Sequence, residues 1–252
     1  MAAGLDPEVA EPLAARCTEL GYGSLWSNDH PADNGLDTLA AFARAASELE
    51  LGVAVMALDR HEPAAIAAKL DELELDRSRL WLGIGAGFSE RPLTTMKARL
   101  PELRDALPDV RLVLAAMGPK MCALAGAEFD GAFFNWMTPR FAASAREQVE
   151  RGASEAGREP PPVFGYVRTA VGENAAGRLA REEAFYRDLH DGYRNHFKRL
   201  GADEGTVGVA VPDRDAAREA LADYEAFDVL VVRALASATV EDMTALAANA
   251  AP

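Results

Sequence analysis

Apolar runs of strand length recur along this chain, separated by longer stretches with helical spacing. The runs are Ser24 to Ser27, "ELGVAVMAL" at 50–58, "RLWLGIGAG" at 79–87, "VRLVLAAMG" at 110–118, "GAFFNW" at 131–136, "PVFGYVRTAV" at 162–171 and "FDVLVVRAL" at 227–235. Most are apolar at consecutive positions, as in a strand buried on both faces. The stretches between them carry helix punctuation. Asp6 stands as N-cap of a helix from Pro7 to Leu20, with Gly21 past its end. Asp37 is placed to cap a helix to about Leu49, and Pro63, Pro119 and Pro139 occupy first-turn positions. Further helices are expected over about 92–107, over most of 174–200 and from Thr239 onward. The stretch 201–211 reads as a loop with a stray extended segment.

Regular alternation of strand and helix predicts a parallel sheet covered by helices. Seven such units in 252 residues favour a TIM-type (β/α)8 barrel over a doubly wound sheet. The first helix begins by Pro7, so the strand lacking from the count of eight is the first. The expectation is an α/β barrel in one domain over 1–252, pared down, with that strand missing or replaced by other chain. An open barrel exposes strand edges, and a dimer contact or the loop after Gly201 is the expected cover.

Charge narrows the partners. The net charge is −14 with a pI near 4.8, a surface that repels phosphate backbones and excludes nucleic acid. An anionic cofactor would have to be met by backbone amides and helix N-termini. Cys17 and Cys122 lie far apart, with neither metal-ligand spacing nor a disulfide framework, and read as small buried residues. No apolar run approaches the roughly 18–20 residues of a membrane span. The N-terminus shows no basic stretch followed by an apolar one, so a cytoplasmic protein is expected.

Barrel enzymes carry their chemistry at the C-terminal ends of the strands. That rule selects Asn28, Asp29 and His30, then Asp59, Arg60 and His61, then Gly85 to Phe88, Met117 and Gly118, Asn135 and Trp136, and Arg168. His61 by itself reads as part of a loop and helix start. Asp29, His30 and His61 have no metal-binding spacing, so no metal is expected. The glycine turn is not a dinucleotide fingerprint. Trp81, Phe133 and Phe134 read as core. His190 and His196, with Tyr186 and Tyr193, read as a solvated or packing helix face. No serine nucleophile elbow or catalytic-cysteine motif is present.

"LGYGSLWSNDH", "LGVAVMALDRHEPAAIAAKLDEL", "RLWLGIGAG" and "LVLAAMGPKMCALAGAEFDGAFFNWMTP" follow one another in that order. Together they resemble the luciferase-like monooxygenase superfamily over roughly 7–157. The resemblance implies a ring cofactor across the barrel mouth, either the deazaflavin coenzyme F420 or FMN. It implies His30 as the catalytic residue, accepting a proton as hydride leaves the substrate. Asp29 would contact the cofactor or anchor its loop. Ala54 and Val55 match the place of a non-prolyl cis peptide against the ring. Gly85, Ala86 and Gly87 match a turn that lets backbone approach the cofactor, and Ala115, Ala116, Met117 and Gly118 the segment offering amides to its phosphate. Phe88 departs from the glutamate that deazaflavin sugar-phosphate dehydrogenases carry there, and the stretch from Phe88 to Asp109 is shorter than the usual insertion. Three functions are compatible with this pattern. One is a flavin- or deazaflavin-dependent oxidoreductase acting on a small organic substrate, working as a homodimer. Another is an FMN monooxygenase served by a flavin reductase. The third is a non-catalytic, flavin-binding or degenerate barrel.

Overall fold

The computed structural model describes residues 4–252. Among these described residues eight parallel strands form one sheet. They are β1 (Ser24–Ser27), β2 (Glu50–Ala57), β3 (Leu80–Gly85), β4 (Arg111–Ala116), β5 (Gly131–Asn135), β6 (Val163–Val171), β7 (Val209–Val211) and β8 (Val229–Ala234). Ten α-helices cover it: α1 (Pro7–Glu19), α2 (Gly35–Ala45), α3 (Pro63–Glu72), α4 (Pro92–Ala106), α5 (Pro119–Glu128), α6 (Pro139–Glu155), α7 (Ala175–Leu189), α8 (Asp191–Leu200), α9 (Arg214–Ala222) and α10 (Val240–Asn249). Strands β1 to β6 pair in chain order, and β6 then pairs with both β7 and β8. The result is a nearly closed TIM-type barrel.

Strand β8 runs beside β6 from Phe164 to Thr169, whereas β7 pairs with Thr169 to Val171. Among the described residues no strand precedes α1, and the pairing found for β1 is with β2. The barrel is therefore open between β1 and β8. A groove of about 670 Å³ lies there, with Ser24, Trp26, Val229, Val231, Leu246 and Ala250 among its lining. Helix α10 backs it, held by a 2.8 Å bond from the Tyr22 hydroxyl to Ala247 O. The loop after Gly201 does not cover this edge; it forms β7 against β6 instead.

The pattern undercounted by one strand and two helices: 174–200 holds α7 and α8 rather than one helix, and α9 was not read. Strand β7 is three residues long, too short for alternation to register. Helix α9 lies in a charged stretch and is capped by Asp213, which accepts from Ala216 N at 3.0 Å. Helix α2 begins at Gly35 with Asn34 as its cap rather than Asp37.

The barrel interior is layered. Its aromatic plug consists of Trp26, Trp81, Phe133 and Phe164, with Trp26 5.1 Å from each Phe ring and Trp81 4.9 Å from Phe164. Phe134 belongs instead to the main core outside the barrel. The plug closes at the N-terminal end on Glu50, which accepts from Trp81 Nε1 at 2.6 Å and from Arg111 at 2.8 Å. Cys17 and Cys122 are buried; burial pushes their thiols up to about 11 and about 12, so neither is a reactive thiolate near neutral pH.

Candidate active site at the barrel mouth

Beyond the plug, toward the C-terminal strand ends, the interior turns polar. Asn28 leaves β1 and spans the mouth. Its Nδ2 donates to Ala54 O at 3.3 Å, and its Oδ1 accepts from the Tyr166 hydroxyl at 2.6 Å. Tyr166 lies on β6, and burial raises its phenol above the ordinary value, so it remains a donor. The Ala54–Val55 peptide of β2 is cis, and the β2–β3 register shifts between Val53 and Met56. Asn28 thus ties β1, this segment and β6 together.

Asp29 points the other way along the chain, as consecutive residues on an extended segment do. Its side chain is fully buried. It accepts from Gly35 N at 3.2 Å, from the Arg60 guanidinium and from His61 Nε2 at 2.8 Å. A single carboxylate therefore joins the loop after β1 to the loop after β2. The histidine it holds is His61, not His30. With a carboxylate at Nε2, the His61 proton sits there and Nδ1 becomes the acceptor nitrogen.

His30 is exposed. Its backbone pairs with Asp33 through two 3.0 Å bonds, and its Nδ1 accepts from Ala32 N at 3.2 Å. That is the geometry of an Asx-type turn. It spends the ring's acceptor nitrogen and leaves an N–H at Nε2. In this conformation the free ring nitrogen of His30 is a hydrogen-bond donor.

The glycine turn adjoins the loop after β2, with Leu58 N donating to Gly85 O at 2.9 Å. Gly87 has φ +62°, and a Cβ there would lie 2.0 Å from Asp59 Oδ1, so only glycine fits. Asp59 also accepts from Phe88 N at 2.9 Å, which bolts the turn to the loop after β2. Gly85 faces Val55, whose Cγ2 would be 3.0 Å from an added Cβ. Ala86 between them is buried.

Ala115 and Ala116 end β4, and Met117 leads to Gly118, the N-cap of α5. No side chain caps this helix, and a Cβ on Gly118 would meet nothing within 4 Å. The helix start thus presents uncapped amides and open space, which suits an anion. Gly118 has φ −113°, a conformation any residue adopts. Gly118→Leu should therefore fold with an unchanged melting temperature while weakening cofactor binding at least about tenfold by filling that space. Calorimetric titration alongside a melt measures both; equal affinity in the variant would exclude this segment as a phosphate site.

Helices α7 and α8 form a hairpin over the mouth. Tyr186 packs on Trp136 at 5.2 Å and on Tyr193 at 4.9 Å. At the bend His190 caps α8 through Nδ1, accepting from Gly192 N at 3.0 Å, and its ring lies 5.0 Å from Phe88. His196 is fully buried, with Nε2 2.6 Å from Trp136 O. This face is packed, not solvated, because the hairpin folds back onto the ends of β5 and β6.

Burial pushes His196 down from 6.5 to about 4, against the bond to Trp136 O that favours its charged form. The unfolded chain thus takes up a proton near 6.5 that the folded chain resists until about pH 4. The stabilisation from neutral His196 is complete above about pH 6.5 and falls by roughly 3 kcal/mol as pH drops to 4. Denaturant melts of wild type and His196→Gln across this range should converge in acid; parallel curves would show that His196 does not carry the dependence.

Among the described residues no group of three His, Cys, Asp or Glu could hold a metal ion, and no helix is long and apolar enough to cross a membrane. Pattern reading selected Asn28 and Asn135 at strand ends but missed Tyr166, which donates to Asn28. The available signal was the alternation Phe164, Tyr166, Arg168 along β6, which puts all three on one face.

An open parallel barrel with a polar mouth over an aromatic plug defines a class, and comparison with known proteins identifies it. The model of the luciferase-like monooxygenase family matches residues 3–114 and 94–245. The chain belongs to that family. A 5,10-methylenetetrahydromethanopterin reductase of Methanolobus tindarius is 28% identical over 193 residues, which cover 62% of this chain and 59% of the relative's own length. The coenzyme F420-dependent tetrahydromethanopterin reductase of Methanopyrus kandleri has a similar structure, with TM-score 0.75 and 16% identity, over 99% of this chain and 95% of the other. An F420-dependent secondary alcohol dehydrogenase, solved with an F420–acetone adduct, aligns with TM-score 0.70 and 16% identity, over 93% and 91% of the two chains.

Proposed function

We propose that this protein is a deazaflavin-dependent oxidoreductase that transfers hydride to or from a small organic substrate at the barrel mouth. Family membership supports the reaction class, and the F420-dependent relative structures favour F420 over FMN. The observation that carries the reading is the meeting of three features at one mouth: the Gly85–Gly87 turn beside Val55, the uncapped start of α5, and the Asp29–His61 pair. The first two fit a ring-bearing anion. Gly85, Ala86, Gly87, Ala54 and Val55 would flank the ring, and Ala115, Ala116, Met117 and Gly118 would hold the phosphate. The cofactor, when bound, supplies or takes the hydride.

The protein's own task is the accompanying proton. Asp29 orients His61 so that Nδ1 can accept it. His30 then acts as an exposed Nε2–H donor at the rim, which narrows the role expected for it from sequence. Asp29 serves the cofactor site by anchoring two loops, with no direct contact required. We propose a single barrel domain in the cytoplasm. A homodimer would cover the edge between β1 and β8.

The test is titration of the purified protein with F420 and with FMN, followed anaerobically by absorbance. Tight binding of oxidised F420 and its bleaching on substrate addition are expected. Preference for reduced FMN with oxygen consumption would favour the monooxygenase reading and a reductase partner. Binding of neither would leave a non-catalytic barrel.

A further inference from the structure

The strongest unexplained charge in the molecule is Arg168. It lies on β6, 1% exposed, beneath the α7–α8 hairpin. Three aromatic rings enclose its guanidinium, with Trp136 at 3.9 Å, Tyr166 at 4.6 Å and Tyr186 at 4.9 Å. Nη1 donates to Asn135 Oδ1. Nε and Nη2 are buried without a hydrogen-bond partner. These two atoms form one edge of the guanidinium, and their N–H groups point the same way. That edge matches the two oxygens of a carboxylate. A desolvated guanidinium with a whole edge unmet is costly.

The neighbouring charges sharpen the point. Arg233 of β8 is the register partner of Arg168, and like charges side by side on paired strands are unfavourable. Glu182 of α7 is the carboxylate that both feel. It lies 3.9 Å from Arg168 Nε, beyond hydrogen-bond reach, and interacts electrostatically with Arg233. Two cations thus stand side by side in a chain whose net charge is −14. Cations placed against that trend mark a site for an anion.

We propose that Arg168 binds a carboxylate group of the substrate through its Nε–Nη2 edge, with Trp136 and Tyr186 covering the apolar part beside it. This deepens the oxidoreductase reading by naming the substrate class: a small organic acid. The hairpin carrying Tyr186 and Glu182 lifts to admit it, and Glu182 repels any carboxylate that does not displace it.

The test uses the full chain without cofactor. Acetate, succinate and benzoate are titrated at constant ionic strength against chloride, with phosphate as the alternative oxyanion. Thermal shift and intrinsic tryptophan fluorescence, to which Trp136 contributes beside Trp26 and Trp81, report binding. Carboxylates should raise the melting temperature and change the fluorescence. Arg168→Met should abolish both responses, and Arg168→Lys, which keeps the charge but loses the edge, should weaken binding by roughly tenfold or more. Glu182→Gln should strengthen it. Arg168→Met removes an unmet charge from an apolar cage, so its ligand-free melting temperature should not fall; if that variant does not fold, the lysine variant decides. Carboxylate responses equal to wild type in Arg168→Lys, a phosphate response without a carboxylate one, or no response beyond chloride would overturn the proposal. F420 titration of the same variants separates the two readings. Carboxylate binding with no cofactor binding would leave this site standing and remove the oxidoreductase; cofactor binding with no carboxylate response would do the reverse.

Discussion

His61→Asn is expected to lower turnover by about 10²–10⁴-fold while leaving F420 affinity nearly unchanged. The expectation rests on which nitrogen is available. Asp29 accepts from His61 Nε2 at 2.8 Å, and the resulting tautomer presents Nδ1. His30 has its Nδ1 occupied by Ala32 N, so His30→Asn, whose amide oxygen can take the same turn bond, should cost far less. Steady-state rates of both variants decide between them. Full activity in His61→Asn with loss in His30→Asn would move the proton to the rim and require the Ala32 turn to open during turnover.

Asp29→Ala should damage stability and activity together. The carboxylate is fully buried and receives three groups from two loops. Removing it strands the Gly35 amide and leaves Arg60 beside a small void. Complete burial of both partners would make the loss about 3–5 kcal/mol. Here the Arg60 and His61 side chains are 29% and 21% exposed, so about 2–3 kcal/mol is expected. Turnover should fall about as far as in His61→Asn, and the double variant should be little worse than the single one, because residues acting as a unit are not additive. Denaturant melts and rates on the same preparations measure this. An additive double variant would show that Asp29 supports the loops without orienting the histidine.

Much of this architecture was legible before any coordinates. Strands β2 to β6 are largely buried on both faces, so continuous apolar runs mark them without knowledge of their neighbours. Pro63, Pro119 and Pro139 begin helices because a residue without an N–H costs nothing in a first turn. The ordered motifs placed the glycine turn and the Gly118 segment at one mouth. Strand β7 was not legible, since three residues carry too little pattern, and it exists because β6 offers it a partner.

The chain by itself determined the α/β class, the placing of Trp81, Phe133 and Phe134 in the core, and the strand ends where chemistry belongs, because each follows from local periodicity and from the cost of exposing apolar surface. Tertiary structure alone decided which histidine is held. His30 is next to Asp29 in sequence, but adjacent side chains on an extended chain diverge, and His61, 32 positions away, closes on the carboxylate instead. It also decided that β8 pairs with β6, which sets Arg233 beside Arg168 and leaves β1 with an open edge. Such pairings depend on how helices and strands pack across the whole barrel, and no local pattern encodes a contact between positions 65 residues apart.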